Sequence, residues 1–161
     1  MKKILIFLLL FLSISCSSNL VTKKSAESID CPLVLFASEH RNFLDNEEKP
    51  LTLDNVSFKA EINNYAFNNS CFQENDIRTF PLDILFIIDP IRPTSPDVIL
   101  PLYVALLDSD QQLFEMQYFS ISGEISNDLT TKAYFETELS NSIYIVTSKY
   151  NSVSRLVIGF M

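Results

Sequence analysis

The chain has one histidine, two glycines and no tryptophan among its 161 residues. Each shortage closes off chemistry. Serine or cysteine nucleophiles need a nearby base. His40 is the only imidazole, and no Gly-x-Ser-x-Gly elbow exists to pair with it. A solvated loop histidine is its ordinary reading. Gly123 and Gly159 are too few and too isolated for a phosphate-cradling loop or a dinucleotide fingerprint. They also argue against a tightly coiled barrel, which relies on glycine kinks. A Cys/His zinc cluster lacks ligands, because three cysteines and His40 are all the chain offers. Asp45-Asn46-Glu47-Glu48 and Asp108-x-Asp110 have oxygen ligands but neither EF-hand spacing nor its glycine, so turn chemistry explains them. Asp83 and Asp89 flank an apolar stretch, and edge or turn placement accounts for them better than paired-carboxylate glycoside chemistry. No metal and no cofactor are expected. Basic residues are scarce too: 12 against 20 acidic, a formal net charge of −8. Such a surface repels nucleic acid and anionic headgroups, so no nucleic-acid partner is expected. The chain is no disordered acidic tail, since its apolar content is 47% and its charged content 20%.

What the chain does have stands at its start. Lys2-Lys3 precede the apolar run Ile4–Leu12, and Ser13-Ile14-Ser15-Cys16 follow. A charged beginning, an apolar stretch and small residues are the order of a secretory signal. The run is far short of the roughly 20 residues a spanning helix needs. With cysteine at the cleavage point, the segment resembles a bacterial lipoprotein signal. The resemblance implies cleavage before Cys16 and acylation of its thiol and new amino group. Ser13 stands where leucine is more usual. Ser17 follows the cysteine in place of aspartate, which by the same resemblance implies an outer-membrane address facing the periplasm. The expected organisation is a signal peptide over 1–15, a lipidated flexible tether over 16–29 and one domain over 30–161. Without Lys2 and Lys3 the mature chain carries 10 basic and 20 acidic residues. Two cysteines then remain, Cys31 and Cys71. In an oxidising compartment a pair suggests one disulfide; a metal or catalytic thiol is the alternative.

From Cys31 onward the pattern is strand after strand. Cys31 to Phe36 is a short apolar run behind Pro32. Residues 39–54 are polar and read as a loop. Val56, Phe58, Ala60 and Ile62 alternate with Ser57, Lys59 and Glu61, as in a half-buried strand. Asn63-Asn64 and Asn68-Asn69-Ser70 read as turns. Phe80, Leu82, Ile84, Phe86 and Ile88 share one face of a longer strand. Pro90, Pro93 and Pro96 mark a loop. Val98–Leu107 and Leu113–Ile121 form the clearest hairpin, around a turn at 108–112. Thr131–Leu139, Ile143–Thr147 and Arg155–Phe160 complete the set. About seven or eight short strands and no good amphipathic helix predict an all-β fold, an antiparallel immunoglobulin- or fibronectin-like β-sandwich.

The order Cys31-Pro32, Cys71, then Leu100-Pro101-Leu102-Tyr103-Val104-Ala105-Leu106-Leu107-Asp108, then Val157-Ile158-Gly159-Phe160 resembles a family of small lipoproteins of alphaproteobacterial type. Arg92 and Pro93 are adjacent where the family pattern has an intervening glycine. The resemblance spans residues 31–160 and implies a periplasm-facing lipoprotein with a disulfide, and no particular activity. The expected function is therefore a non-enzymatic, lipid-anchored envelope module held to the membrane by its N-terminal lipid and acting on an envelope protein partner. A binder of a small apolar ligand between the sheets is the second reading. Tyr118-Phe119 place aromatics on opposite faces of one strand. If Phe114, Met116 and Tyr118 point inward, Phe119 faces out and is the candidate partner contact.

Overall fold

A computed structural model describes residues 26–46, 52, 54–128, 131, 133–148 and 150–161. The expected signal peptide, Cys16 and most of the expected tether lie outside the described residues. Twelve strands are present among the described residues: β1 (Glu27–Ser28), β2 (Leu33–Phe36), β3 (Asn42–Asn46), β4 (Val56–Phe67), β5 (Phe72–Glu74), β6 (Ile77–Pro90), β7 (Asp97–Leu107), β8 (Leu113–Glu124), β9 (Asn127–Asp128), β10 (Ala133–Tyr134), β11 (Thr137–Ser148) and β12 (Arg155–Phe160). Eight of them exceed three residues, which matches the expected number. No α-helix occurs among the described residues; a 3-10 turn spans Ser38–His40.

Ten of the strands form two sheets packed as a sandwich, and β9 and β10 pair apart from them. In the first, β6 is central, with β11 along one side and β4 then β3 along the other; β5 and β1 continue the β4 side past its end. In the second the order is β2-β12-β7-β8. Pairing is antiparallel except for β2, which runs parallel to β12. The strand order departs from the immunoglobulin one. β11 and β12 lie in opposite sheets, whereas the immunoglobulin arrangement sets its final two strands side by side.

Alternation creates the core. Val56, Phe58, Ala60 and Ile62 face Phe80, Leu82, Ile84, Phe86 and Ile88 within the first sheet, and all are buried. Leu100, Leu102, Val104, Leu106, Leu156 and Ile158 close over them from the second. Phe160 lies between Phe43 and Phe86, with ring centroids 5.5 and 5.9 Å away. Two prolines inside strands fall where the ladder is interrupted. Pro81 lies between Leu82, the last β6 residue paired with β4, and Thr79, the first paired with β5. Pro101 lies just past Leu102, where β12 ends. A missing N–H is tolerated at such gaps.

Several expectations change. Residues 27–29, expected within a tether, belong to the fold: Glu27 and Ser28 pair with β5, the Ile29 amide donates to the Cys71 carbonyl at 2.9 Å, and Ile29 packs on the core. The segment 39–54, read as a loop, contains β3, an edge strand that needs only Phe43 to face inward. Asn63-Asn64 form no turn. They make a bulge within β4, beyond which Tyr65 and Phe67 point inward again. Ser140-Asn141-Ser142 do not divide two strands, because β11 pairs with β6 without a break from Thr137 to Ser148. Residues 133–134 belong to a separate small hairpin with β9.

Candidate interaction surface

The bridged cysteines sit where the chain leaves the first sheet for the second. Cys31 and Cys71 are disulfide-bonded with Cα atoms 5.3 Å apart. β1 precedes the bridge in one sheet and β2 follows it in the other. The bond is structural, and it removes both thiols from metal binding or catalysis.

The remaining candidates resolve into structural roles. His40 Nδ1 donates to the Phe160 carbonyl at 2.9 Å, and its ring meets Tyr103 edge-on with centroids 5.7 Å apart. It pins the β2–β3 connection to the last strand. Arg41 beside it donates through Nε to the Ile62 carbonyl at 2.9 Å and lies 5.5 Å over the Phe36 ring. Asp108 accepts from the amides of Asp110 and Gln112, both at 2.9 Å, which is turn chemistry, and Gln111 has a left-handed φ of 64°. Asp45 and Asn46 end β3, while Glu47 and Glu48 lie outside the described residues. Asp83 accepts from Asn68 Nδ2 at 2.8 Å and from Ser142 Oγ. It borders a shallow hollow of about 260 Å³ on the outer face of the first sheet, lined also by Asn64, Ala66, Leu85 and Ser140. That volume lies below the usual range for small-molecule sites, roughly 300–1,000 Å³. A second hollow of about 70 Å³, lined by Asp45, Ser57, Phe58, Thr94, Ser95 and Asp97, has room for two or so waters at about 30 Å³ each. Neither is an apolar cavity between the sheets. Asp89 pairs with Lys59 across the β4–β6 ladder.

Phe119 is not an outward residue. The expected facing of β8 is reversed: Phe119 packs against the core and Ile121 is buried, while Phe114, Met116 and Tyr118 are exposed. The cause lies at the seam between β8 and β11, the neighbouring edge strands of the two sheets. Glu115 and Gln117 point toward that seam and are satisfied there. Thr147 Oγ1 donates to Glu115 at 2.6 Å. Gln117 Nε2 donates to Glu115 at 2.6 Å and to the Val146 carbonyl at 2.8 Å. Asn151 Nδ2 completes the set by donating to Thr147 at 2.9 Å. A polar network at the seam takes the inward positions that the pattern assigns to apolar residues. The apolar ones are turned out.

The consequence is an unusual outer face on the second sheet. Cross-strand pairing arranges it in rows. Leu33, Arg155, Leu107 and Leu113 make the first row. Leu35, Val157, Ala105 and Met116 make the second. Gly159, Tyr103 and Tyr118 make the third. Pro101 and Ser120, then Ile99 and Ser122, follow. Asp97 and Glu124 close the far end. Between Arg155 and that acidic pair the face carries no charge, and Ile99 and Tyr118 are 63% and 62% exposed. The outer face of the first sheet is different, since its rows hold Lys59, Glu61, Asp83, Asp89 and Glu138. Tyr103 lies against His40, and burial raises its phenol above the ordinary value of 10.0, so the hydroxyl stays protonated and can donate. Tyr118 donates to Met116 Sδ at 3.0 Å. Tyrosine and methionine over an uncharged sheet are the residues that interfaces favour.

Among the described residues no group of three or more His, Cys, Asp and Glu side chains is placed to hold a metal ion. No protein-family model, curated protein or solved structure matches the chain.

Proposed function

We propose that this chain is a lipid-anchored envelope protein, acylated at Cys16, that works by binding another protein and not by catalysis. One observation carries the reading: in a chain of net charge −8, the outer face of the β2-β12-β7-β8 sheet is uncharged and mostly apolar over four consecutive rows, from Leu35, Val157, Ala105 and Met116 to Ile99 and Ser122, with Arg155 one row beyond. With strands about 4.8 Å apart and rows about 6.8 Å apart, each position covers about 33 Å², so the eleven positions of these rows make about 360 Å², four strands wide at Met116 and two at Ile99. That falls within the range, about 300–600 Å², in which the largest apolar patch of a soluble protein is often functional. The apolar ligand reading has no comparable support, because the space between the sheets is filled by side chains such as Phe80, Phe86 and Phe160.

The test is photo-crosslinking in intact cells. A benzophenone amino acid at Tyr118 is expected to give discrete protein adducts. The same group at Tyr144, equally exposed on the other sheet, is expected to give none. Equal labelling from both positions, or none from Tyr118, overturns the docking reading. Mass spectrometry of the mature N-terminal peptide tests the anchor: an acylated Cys16 supports it, and an unmodified N-terminus elsewhere removes it.

A further inference from the structure

The docking face has a polarity that selects its occupant. Its one cation, Arg155, lies in the first row, and its two acids, Asp97 and Glu124, lie opposite each other in the last. Like charges directly opposed across a ladder destabilise it unless a cation relieves them. The midpoint between the two charged rows falls near Leu102 in β7. A two-fold rotation about an in-plane axis there, perpendicular to the strands, reverses the face onto itself. Row one of one copy then meets row six of the other, so each Arg155 reaches the other copy's Asp97 side. The second row meets Ile99 and Ser122. Tyr118 lies over Ser120, whose hydroxyl offers its phenol a partner. Along β7 and β8 apolar rows meet apolar or small uncharged ones, Leu33, Leu35 and Val157 overhang that ribbon's edge, and no acid meets an acid.

We infer that the outer face of the second sheet binds a second copy of this chain, in an antiparallel two-fold packing of sheet on sheet. The inference rests on the reading of this face as a docking surface and adds the identity of what docks. Two sheets at about 10 Å separation are already the architecture of the protein itself, and a two-fold contact uses the same patch on both partners. The footprint, at most about 360 Å² per copy, is under half the roughly 800 Å² of a standard interface. The dimer is therefore weak in dilute solution and is favoured where an anchor confines both copies to one membrane, since tethering raises effective concentration.

Sedimentation velocity of the full mature chain in detergent, from about 1 to 300 μM, tests this. A concentration-dependent shift from monomer to dimer is expected. Tyr118→Glu should weaken it at least tenfold, and Tyr144→Glu should leave it unchanged. Arg155→Glu should weaken it as well, and adding Asp97→Arg to that variant should restore it, because the exchange rebuilds the pair with its signs reversed. Melting curves of each variant check that the fold is intact; both tyrosines are exposed, so intact folds are expected. A chain monomeric at every concentration overturns self-association. So does a dimer indifferent to Tyr118→Glu, or a charge exchange that fails to restore. If the chain is monomeric while Tyr118 still crosslinks a different protein in cells, the docking surface stands and only the second copy falls.

Discussion

Removing the Cys31–Cys71 bridge is the perturbation whose size follows most directly from the structure. The bridge closes a loop of sequence separation 40. The chain-entropy relation gives about 4 kcal/mol for a loop of that length at 25 °C. Cys71 is fully buried, so Cys71→Ala also leaves a void where its sulfur was, while Cys31 is exposed and adds nothing of that kind. The effect should be asymmetric in space. The bond stands at the crossing from β1 to β2, and the Ile29 amide hangs on the Cys71 carbonyl. Loss of the bond frees β1 and the crossing first, and the β4-β6-β11 region last. For a domain of this size 1 kcal/mol corresponds to roughly 3–5 °C, so the melting temperature should fall by about 12–20 °C. The chain has no tryptophan. The assay is therefore far-UV circular dichroism of the oxidised chain, the reduced chain and the Cys31→Ser/Cys71→Ala variant. Hydrogen exchange should show residues 27–33 losing protection before β6. A fall of less than about 3 °C, or uniform loss of protection, would refute the argument that this bridge holds the two sheets' first strands in place.

Two further substitutions probe the facing of β8 and the packing over β12. Phe119→Ala should cost about 2–3 kcal/mol, somewhat below a fully buried phenylalanine, because the ring is only partly buried against the core; Tyr118→Ala one residue earlier should stay within about 0.5 kcal/mol in the same urea titration. Gly159→Ala should cost about 1–3 kcal/mol, since a β-carbon there would lie 2.7 Å from Tyr103 Oη and 2.8 Å from His40 Cβ; thermal melts of the double variant with Tyr103→Ser should recover part of that loss, as the ring is the movable half of the clash.

The buried half of this fold was legible because period-two alternation states it directly. Phe80, Leu82, Ile84, Phe86 and Ile88 read as one face and are one face. The disulfide was legible from the cysteine number together with the export expected of the N-terminal segment. What escaped the sequence reading depends on pairing, which no single segment encodes. β3 has one inward aromatic, Phe43, and its other residues are those of a loop; it is a strand only because β4 offers it a ladder. β11 carries Ser140, Asn141 and Ser142 at its middle and holds because Leu85, Ile84 and Asp83 stand opposite in unbroken register. Asn63 and Asn64 are turn residues by chemistry, yet the β4–β6 ladder continues before and after them and absorbs them as a bulge.

The facing of β8 depends on pairing in the same way and matters most, because the proposed docking surface rests on it. Phe114, Met116 and Tyr118 form a more apolar set than Glu115, Gln117, Phe119 and Ile121, so hydrophobicity alone turns the first set inward. Phe119 and Ile121 decide otherwise, because they sit beside Leu100 and Leu102, deep in the sandwich, and both burying them and exposing Tyr118 follow from the same register. Glu115 and Gln117 are then carried toward the interior four and two residues before Phe119, which is tolerable only at an edge strand whose neighbour supplies partners. β11 does so with Thr147 and the Val146 carbonyl. A buried carboxylate without such donors would cost several kcal/mol, enough to reverse the facing. The seam network thus fixes which side of β8 meets water, and through it the apolar rows that face away from the core. Changing Thr147 or Gln117 would therefore reach the proposed docking face without touching it.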